Sequence, residues 1–528
     1  VELRCGNAGD VAQAVTVDAI GTQRASSTAG FTIDLRVAAL LLAAVATLAR
    51  LQVFGNPVVQ VDEQYYLLVG GRMLHGVIPY VDIWDRKPIG LFLLFAGFRA
   101  LGGDGVLAYQ IGALISVWST ALILFAMARR IAPPAGALAG AILYLLWLDL
   151  AGGEGGQSPV YYTLPVIAGI AIVFFRRATA IERRGDLRGP GMAAMLLFGI
   201  AMQIKYTAVF EGVFAGIMLL ATAWRAGRRP PALLLDAALW IGCALAPTVI
   251  AAGVYAAIGH LDAWWFANVT SIAMRGSESA QSVTDRIWVM IALVLPLVAC
   301  VPLRRWIGTA PASAREREDR RFLDGWMAIA LLGVVLFGTW FNHYALPLCA
   351  PLGVVAAPLW TRRAGRAWLL VLVAASTIWG QRMLWRHQIT RGDARVLAHA
   401  AAATGRFRGC VFVYDGYSAY YDAVHSCLPT TRPFPAHLQS RNEMGATGID
   451  EAAEVRRIMA SRPERVTVMA PAYEEENLAA RAEVLRVVAA DYQPIYSYTA
   501  IKRILTVYGL KGTVHRPPVS EGAGKRPL

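Results

Sequence analysis

Asp62 and Glu63 are adjacent acids that follow an apolar run ending near residue 53. Ionisable side chains at a membrane surface are candidates for function. A carboxylate there can draw the proton from a hydroxyl and so act as a general base. The pair opens the segment VDEQYYLLVGGRMLHGVIPYVDIWDRKPIG, which also holds Asp85, Arg86 and Lys87 among tyrosines and Trp84. A second stretch, LDLAGGEGGQSP, sets Glu154 among glycines that let backbones approach closely. Lys205-Tyr206 joins two apolar runs, and His343-Tyr344 joins two more. Lysine and arginine can clamp a phosphate, arginine bidentately. Taken singly, each feature has a plainer account. The acids can mark a solvated loop, the lysine can snorkel, and the histidine can anchor at an interface.

Other chemistries find no support. There is no GxxxxGK[ST] or strand-borne GxGxxG for a nucleotide, and no HExxH or GxSxG. The six cysteines show no metal-ligand spacing. Neither a cofactor nor a metal is called for. The donor that suits these residues is lipid-linked and activated by phosphate.

Such residues must be carried by a scaffold. Of 528 residues, 56% are hydrophobic and 16% charged, against about 25% charged in an ordinary soluble domain. That much apolar surface cannot be buried in a water-soluble body of this length. The chain is therefore read as a polytopic α-helical membrane protein. A span takes about 20 apolar residues. The runs that fit are 36–53, 106–128, 135–150, 159–175, 191–204, 208–224, 232–257, 287–303, 323–341, 344–360 and 367–385, eleven in all. Ile89–Leu101 is too short and carries Arg99; it reads as an interfacial helix.

Charge tests that count. With the N-terminus inside and eleven spans, the inner loops hold nineteen arginines and the outer loops six arginines and lysines. This agrees with the positive-inside rule. It also accounts for the net charge of +14 without nucleic acid, for which no aromatic-interleaved basic patch is present. Residues 1–35 read as a disordered cytoplasmic tail and 36–385 as the transmembrane module, with 54–105 as its long first external loop. Residues 386–510 alternate short β runs (CVFVY, RVTVM) with helical patterns and read as a small external α/β domain. Residues 511–528 read as a disordered tail. Cys410 and Cys427 fall in the external domain and can pair if that compartment is oxidising.

These residues carry a resemblance. The acid pair, the tyrosines, the G-x-x-P-Y-x-D segment and the Lys87-Pro88 dipeptide opening a short helix resemble the first external loop of GT-C glycosyltransferases. The closest pattern is the bacterial branch with relatives of protein O-mannosyltransferases and of the lipid A aminoarabinose transferase. FNHYALPLCAPL and the lysine of MQIKYTAVF are also similar, over roughly 36–510; Ile89 departs, where many members have proline or a small residue. The resemblance implies a GT-C fold and an inverting, metal-optional transfer from a polyprenyl-phosphate sugar to a hydroxyl of a glycan, lipid or protein. It implies an inner-membrane location. Asp62 would be the base and Glu63 would orient the acceptor or tune Asp62. Asp85, Arg86, Lys87, Glu154, Lys205, Tyr206, His343 and Tyr344 would bind substrate, the cations holding the departing phosphate. The alternative is a multi-span transporter or flippase, although its ionisable groups are expected near mid-membrane.

Overall fold

The computed structural model describes residues 33–522, apart from 184, 339, 473–474 and 515–517. The calls on residues 1–32 and 523–528 lie outside the described residues. A helix occupies each of the eleven apolar runs. Seven helical stretches among the described residues are long and apolar enough to cross a membrane. They are Val106–Ala128, Ser158–Arg183, Tyr206–Arg225, Pro230–Ala257, Ala280–Ile307, Asn342–Thr361 and Arg363–Thr404. The count of eleven therefore exceeds what length and composition support. Leu35–Arg50, Pro134–Leu150 and Arg188–Met202 have 16, 17 and 15 residues. Ala314–Phe337 opens with the charged run AREREDRR. The last span, expected to end at 385, runs on as helix to Arg391.

The helical body has one arginine-rich end. There Arg130 lies 3.5 Å from Asp319, which Arg177 also grips, and Arg225 pairs with Glu318 at 2.8 Å. Loops far apart in sequence thus meet at that end. The C-terminal domain sits on other loops, at the domain-bearing end. Outward residues of the long helices, such as Leu234, Val249 and Ile250, are more than half exposed, as a lipid-facing surface requires.

The short helix read as interfacial is present as Ile89–Ala100. It packs against the helix Val61–Met73, which carries the acid pair. The crossing is close because Gly70 lacks a side chain: a Cβ there would stand 2.5 Å from the Ala96 nitrogen.

The C-terminal domain is a mixed five-stranded sheet in the order β1-β2-β4-β3-β5. The strands are β1 Phe412–Val413, β2 Arg465–Ala470, β3 Tyr492–Thr499, β4 Ile504–Leu510 and β5 Val519–Gly522. β1 joins β2 and β5 joins β3 in parallel; the other pairs are antiparallel. Alternation along the strands serves two cores. Phe412, Val466 and Val468 pack with Val455, Ile458 and Val484 of the helices Glu451–Ala460 and Leu478–Asp491. Val411, Val413 and Tyr496 join the core of the helical body. β3 is hidden in sequence because Pro494 interrupts it, and the ladder slips between Pro494 and Tyr496. β5 corrects the reading of 511–528 as wholly disordered, since part of it closes the sheet edge.

Gly70→Leu should destabilise the protein by about 1–3 kcal/mol through overpacking, read as a lowered thermal midpoint in lipid. Gly97→Ala, on the partner helix with nothing within 4 Å of its Cβ position, should be neutral or mildly stabilising.

Candidate active site

Asp62 and Glu63 lie in the first turn of the Val61–Met73 helix, where its partial positive charge favours acids. Neighbouring side chains on a helix diverge by about 100°. The two carboxylates therefore face different surroundings.

Asp62 is half-buried, and its Oδ2 accepts a hydrogen bond from Gln157 Nε2 at 3.1 Å. Its electrostatic neighbours include Lys87 and Lys205. Burial opposes its charge, but Lys87, His343, the Gln157 bond and Lys205 outweigh burial and hold its pKa below the ordinary value. Asp62 is an ionised carboxylate among cations.

Glu63 turns into the protein and is fully buried. The Gly156 N–H donates to its Oε2. Its Oε1 is buried with no hydrogen-bond partner among the described residues. A Cβ on Gly155 would stand 2.3 Å from Oε1, so the glycine run makes the seat for this carboxyl. Burial pushes its pKa up to about 8; the Gly156 bond opposes the rise, and Glu154 and Asp62 add to it. Glu63 is protonated at neutral pH.

The glycine loop is itself fixed. Arg50, at the end of the first helix, donates to the carbonyls of Gly153 at 2.6 Å, Glu154 at 2.7 Å and Gly155 at 3.3 Å. The Glu154 Oε1 accepts from Gln60 at 2.8 Å and lies 3.0 Å from His387 Nδ1 and 3.5 Å from Arg391 Nη1. Glu154 is thus held by Gln60 and by the end of the Arg363–Arg391 helix.

Lys87 lies in the bend before Pro88, which caps the start of the Ile89–Ala100 helix. Its ammonium lies 5.6 Å from the ring centre of Tyr66, one turn beyond Asp62 on the same helix. Burial disfavours the Lys87 charge, but Asp85 and Asp62 outweigh it and raise its pKa. Asp85 is buried, with its Oδ2 3.8 Å from Lys87 Nζ and its Oδ1 2.6 Å from the Arg86 N–H. Burial raises the Asp85 pKa against the pull of Lys87 and Arg86.

Lys205 occupies the extended break before the turn Tyr206–Ala208, and its ammonium sits 4.1 Å from the Tyr344 ring centre. His343 stacks beside Tyr344 at 4.7 Å, in the turn that opens the Leu346–Ala356 helix. Asp62, Lys87, Lys205, His343 and Tyr344 therefore form one electrostatic group. Arg86 is directed elsewhere: its Nη1 pairs with Glu443 of the C-terminal domain at 2.7 Å. Tyr206 bonds Asn268 at 2.7 Å.

Sequence reasoning marks Gln157 in the glycine loop but gives it no role, whereas it donates to Asp62. It missed Arg50, which lies within the first apolar run, and Glu443, whose loop gives no sign of its partner. Among the described residues, no three His, Cys, Asp or Glu side chains form a group fit to hold a metal ion.

The Glu63 shift has a sign in stability. An unfolded glutamate loses its proton near pH 4.5, whereas the folded one keeps it to about 8. The stability this contributes is complete below the unfolded pKa and is lost as pH rises through the folded one. The thermal midpoint of wild type should therefore fall between about pH 5 and 8 relative to Glu63→Gln, in a pH series run on both proteins.

No family model matches the sequence, and no curated protein matches it in sequence. Solved structures do share its fold. The ArnT of Cupriavidus metallidurans in the apo state aligns with a TM-score of 0.58 at 14% identity, over 90% of this chain and 99% of that one. The same protein bound to undecaprenyl phosphate aligns with a TM-score of 0.54 at 12% identity, over 90% and 99%. The apo oligosaccharyltransferase of Archaeoglobus fulgidus aligns with a TM-score of 0.52 at 10% identity, over 91% and 75%. With a helical membrane body, two apposed loop helices and a C-terminal domain over the acid-bearing loop, the chain shares the fold of these two solved proteins.

Proposed function

We propose that the protein transfers a sugar from a polyprenyl-phosphate donor to a hydroxyl of an envelope glycan, lipid or protein, with inversion. The observation that carries this is Asp62: a half-open carboxylate, held ionised beside Lys87 and Lys205, at the mouth of a membrane body. As the acceptor oxygen bonds to the anomeric carbon, its proton passes to Asp62. The bond from that carbon to the phosphate oxygen breaks on the opposite face. One carboxylate suffices for inversion; retention needs a second as nucleophile. Charge grows on the leaving phosphate, and the fixed ammonium groups of Lys87 and Lys205 stabilise it without reorganising. His343 and Tyr344 supply further polar contacts at the same mouth. Glu63, seated in the glycine loop, is a positioning residue that fixes the helix turn bearing Asp62.

The solved relative that binds undecaprenyl phosphate supports a lipid-phosphate donor. The reaction face is the domain-bearing one. Cys410 and Cys427 form a disulfide there, which fits an oxidising compartment outside the cytoplasm. The arginine-rich end then faces the cytoplasm, as the positive-inside rule requires.

The protein, purified with lipid, should move label from one of a panel of radiolabelled polyprenyl-phosphate sugars into envelope acceptor. Substrate flux without any covalent product would instead mark a transporter. Lys205→Gln should raise the donor KM about ten-fold and lower kcat as well, since a charge-assisted contact to phosphate is worth about 1.5–3 kcal/mol.

A further inference from the structure

The last helix of the membrane body, Arg363–Arg391, begins at the arginine-rich end. Thr361, just before it, lies 3.4 Å from the Thr309 hydroxyl, and the Thr309 carbonyl accepts from Arg320. From Arg366 to Arg386 the helix climbs about 30 Å, which is about the thickness of the hydrocarbon layer. The turns from Trp379 to Arg386 therefore lie where the opposite headgroups begin, on the domain-bearing side.

One side of these turns faces the protein. Gln381 bonds the Gln52 side chain at 2.7 Å, Leu384 is buried, and His387 and Arg391 hold Glu154. The other side is open. Ile378, Trp379 and Trp385 are half or more exposed, and Arg382 and Arg386 are exposed beside them. Residues three and four apart share a helix face, so Trp379, Arg382 and Arg386 form one stripe with Trp385 at its side. The stripe continues the apolar surface of Leu370 and Val371, both more than half exposed. Tryptophan favours the headgroup level of a membrane.

The two arginines are what needs an account. Positive loops belong at the other end of the body. Other arginines on the domain-bearing side finish on protein oxygens. Arg50 holds the glycine loop, Arg72 the Ser426 carbonyl at 2.7 Å, Arg99 the Asp104 carbonyl at 2.5 Å and Arg391 the Val59 carbonyl at 2.8 Å. Arg382 and Arg386 make no ion pair and no side-chain hydrogen bond among the described residues. The acids nearby are engaged elsewhere. Glu154 lies on the protein side of the helix. Asp393, beyond its end, caps the helix Ala394–Thr404 and lies 3.4 Å from Arg395.

We propose that this stripe binds the headgroup of an anionic phospholipid in the leaflet on the domain-bearing side, with Arg382 and Arg386 on its phosphate and Trp379 and Trp385 against the chains just beneath. Guanidinium groups match phosphate oxygens bidentately, and the apolar face around them already meets lipid. A zwitterionic headgroup brings its own cation to two arginines, so the stripe selects net negative charge.

The test places the full chain in vesicles of phosphatidylcholine with a small share of phosphatidylglycerol that carries a photoreactive group at the start of one chain. After irradiation, peptides cut by a protease that ignores arginine are mapped by mass spectrometry. Label is expected on residues 378–386, and added unlabelled phosphatidylglycerol should compete it away while phosphatidylcholine does not. Arg382→Gln and Arg386→Gln should each lower the label there about five-fold, the worth of one surface cation toward anionic lipid. Raised salt should lower it as well. Label at the arginine-rich end should be the same in all three proteins, which reports that the variants are folded and inserted. If Arg382→Gln fails to fold, Arg386→Gln alone gives the reading. Label on 378–386 that is unchanged in Arg386→Gln would overturn the proposal, as would equal competition by phosphatidylcholine. Either result would make the stripe an ordinary lipid-facing surface. No turnover is read, so the outcome is independent of the transferase reading.

Discussion

Two consecutive carboxylates on one helix cannot look the same way. At about 100° per residue, Asp62 opening toward the cations forces Glu63 into the protein. An acid inside must be seated, and the seat is the glycine run at 155–156, where any side chain would strike the carboxyl. Much of the surrounding structure serves that seat. Arg50 binds three successive carbonyls of the loop, and Glu154 ties it to Gln60, His387 and Arg391. Gln157, the next residue of the loop, reaches back to Asp62. The orientation of the Asp62 carboxylate is therefore set by the first helix, the glycine loop and the end of the last span together.

The sequence shows parts of this well. Apolar length marks eleven runs that each hold a helix, and Pro88 marks the start of the short helix that packs on the acid-bearing one, which the sequence does not mark. Arginine counts sort the loops into two sets, and Arg130, Arg177 and Asp319 do meet at one end. Other parts are illegible for physical reasons. Periodicity gives the existence of an apolar helix but not whether it is long enough to cross, so four of the eleven runs fall short by length or charge. Pro494 hides a strand because it breaks the alternation that a strand is read by. The protein partners of Glu154 and Arg86 are illegible, because a charge in a loop carries no mark of its partner. Their partners come from residues more than two hundred positions away: His387 and Arg391 for one, Glu443 for the other.

The C-terminal domain is more than a cover. Its loops reach the first loop through Trp84 and Arg86, and the 261–286 segment through Glu443, Asn442 and Glu475. Its sheet shares a core with the membrane body through Val413 and Tyr496. These contacts hold the domain and the acid-bearing loop in one frame.

The central claim is that Asp62 is the base of a sugar transfer. The most direct measurement is single-turnover transfer by wild type and Asp62→Asn, with donor affinity measured on the same samples. The account predicts a rate lower by about 10²–10⁴-fold with donor binding retained. Equal rates in the two proteins, or a variant that loses rate only because it no longer binds donor, would contradict it.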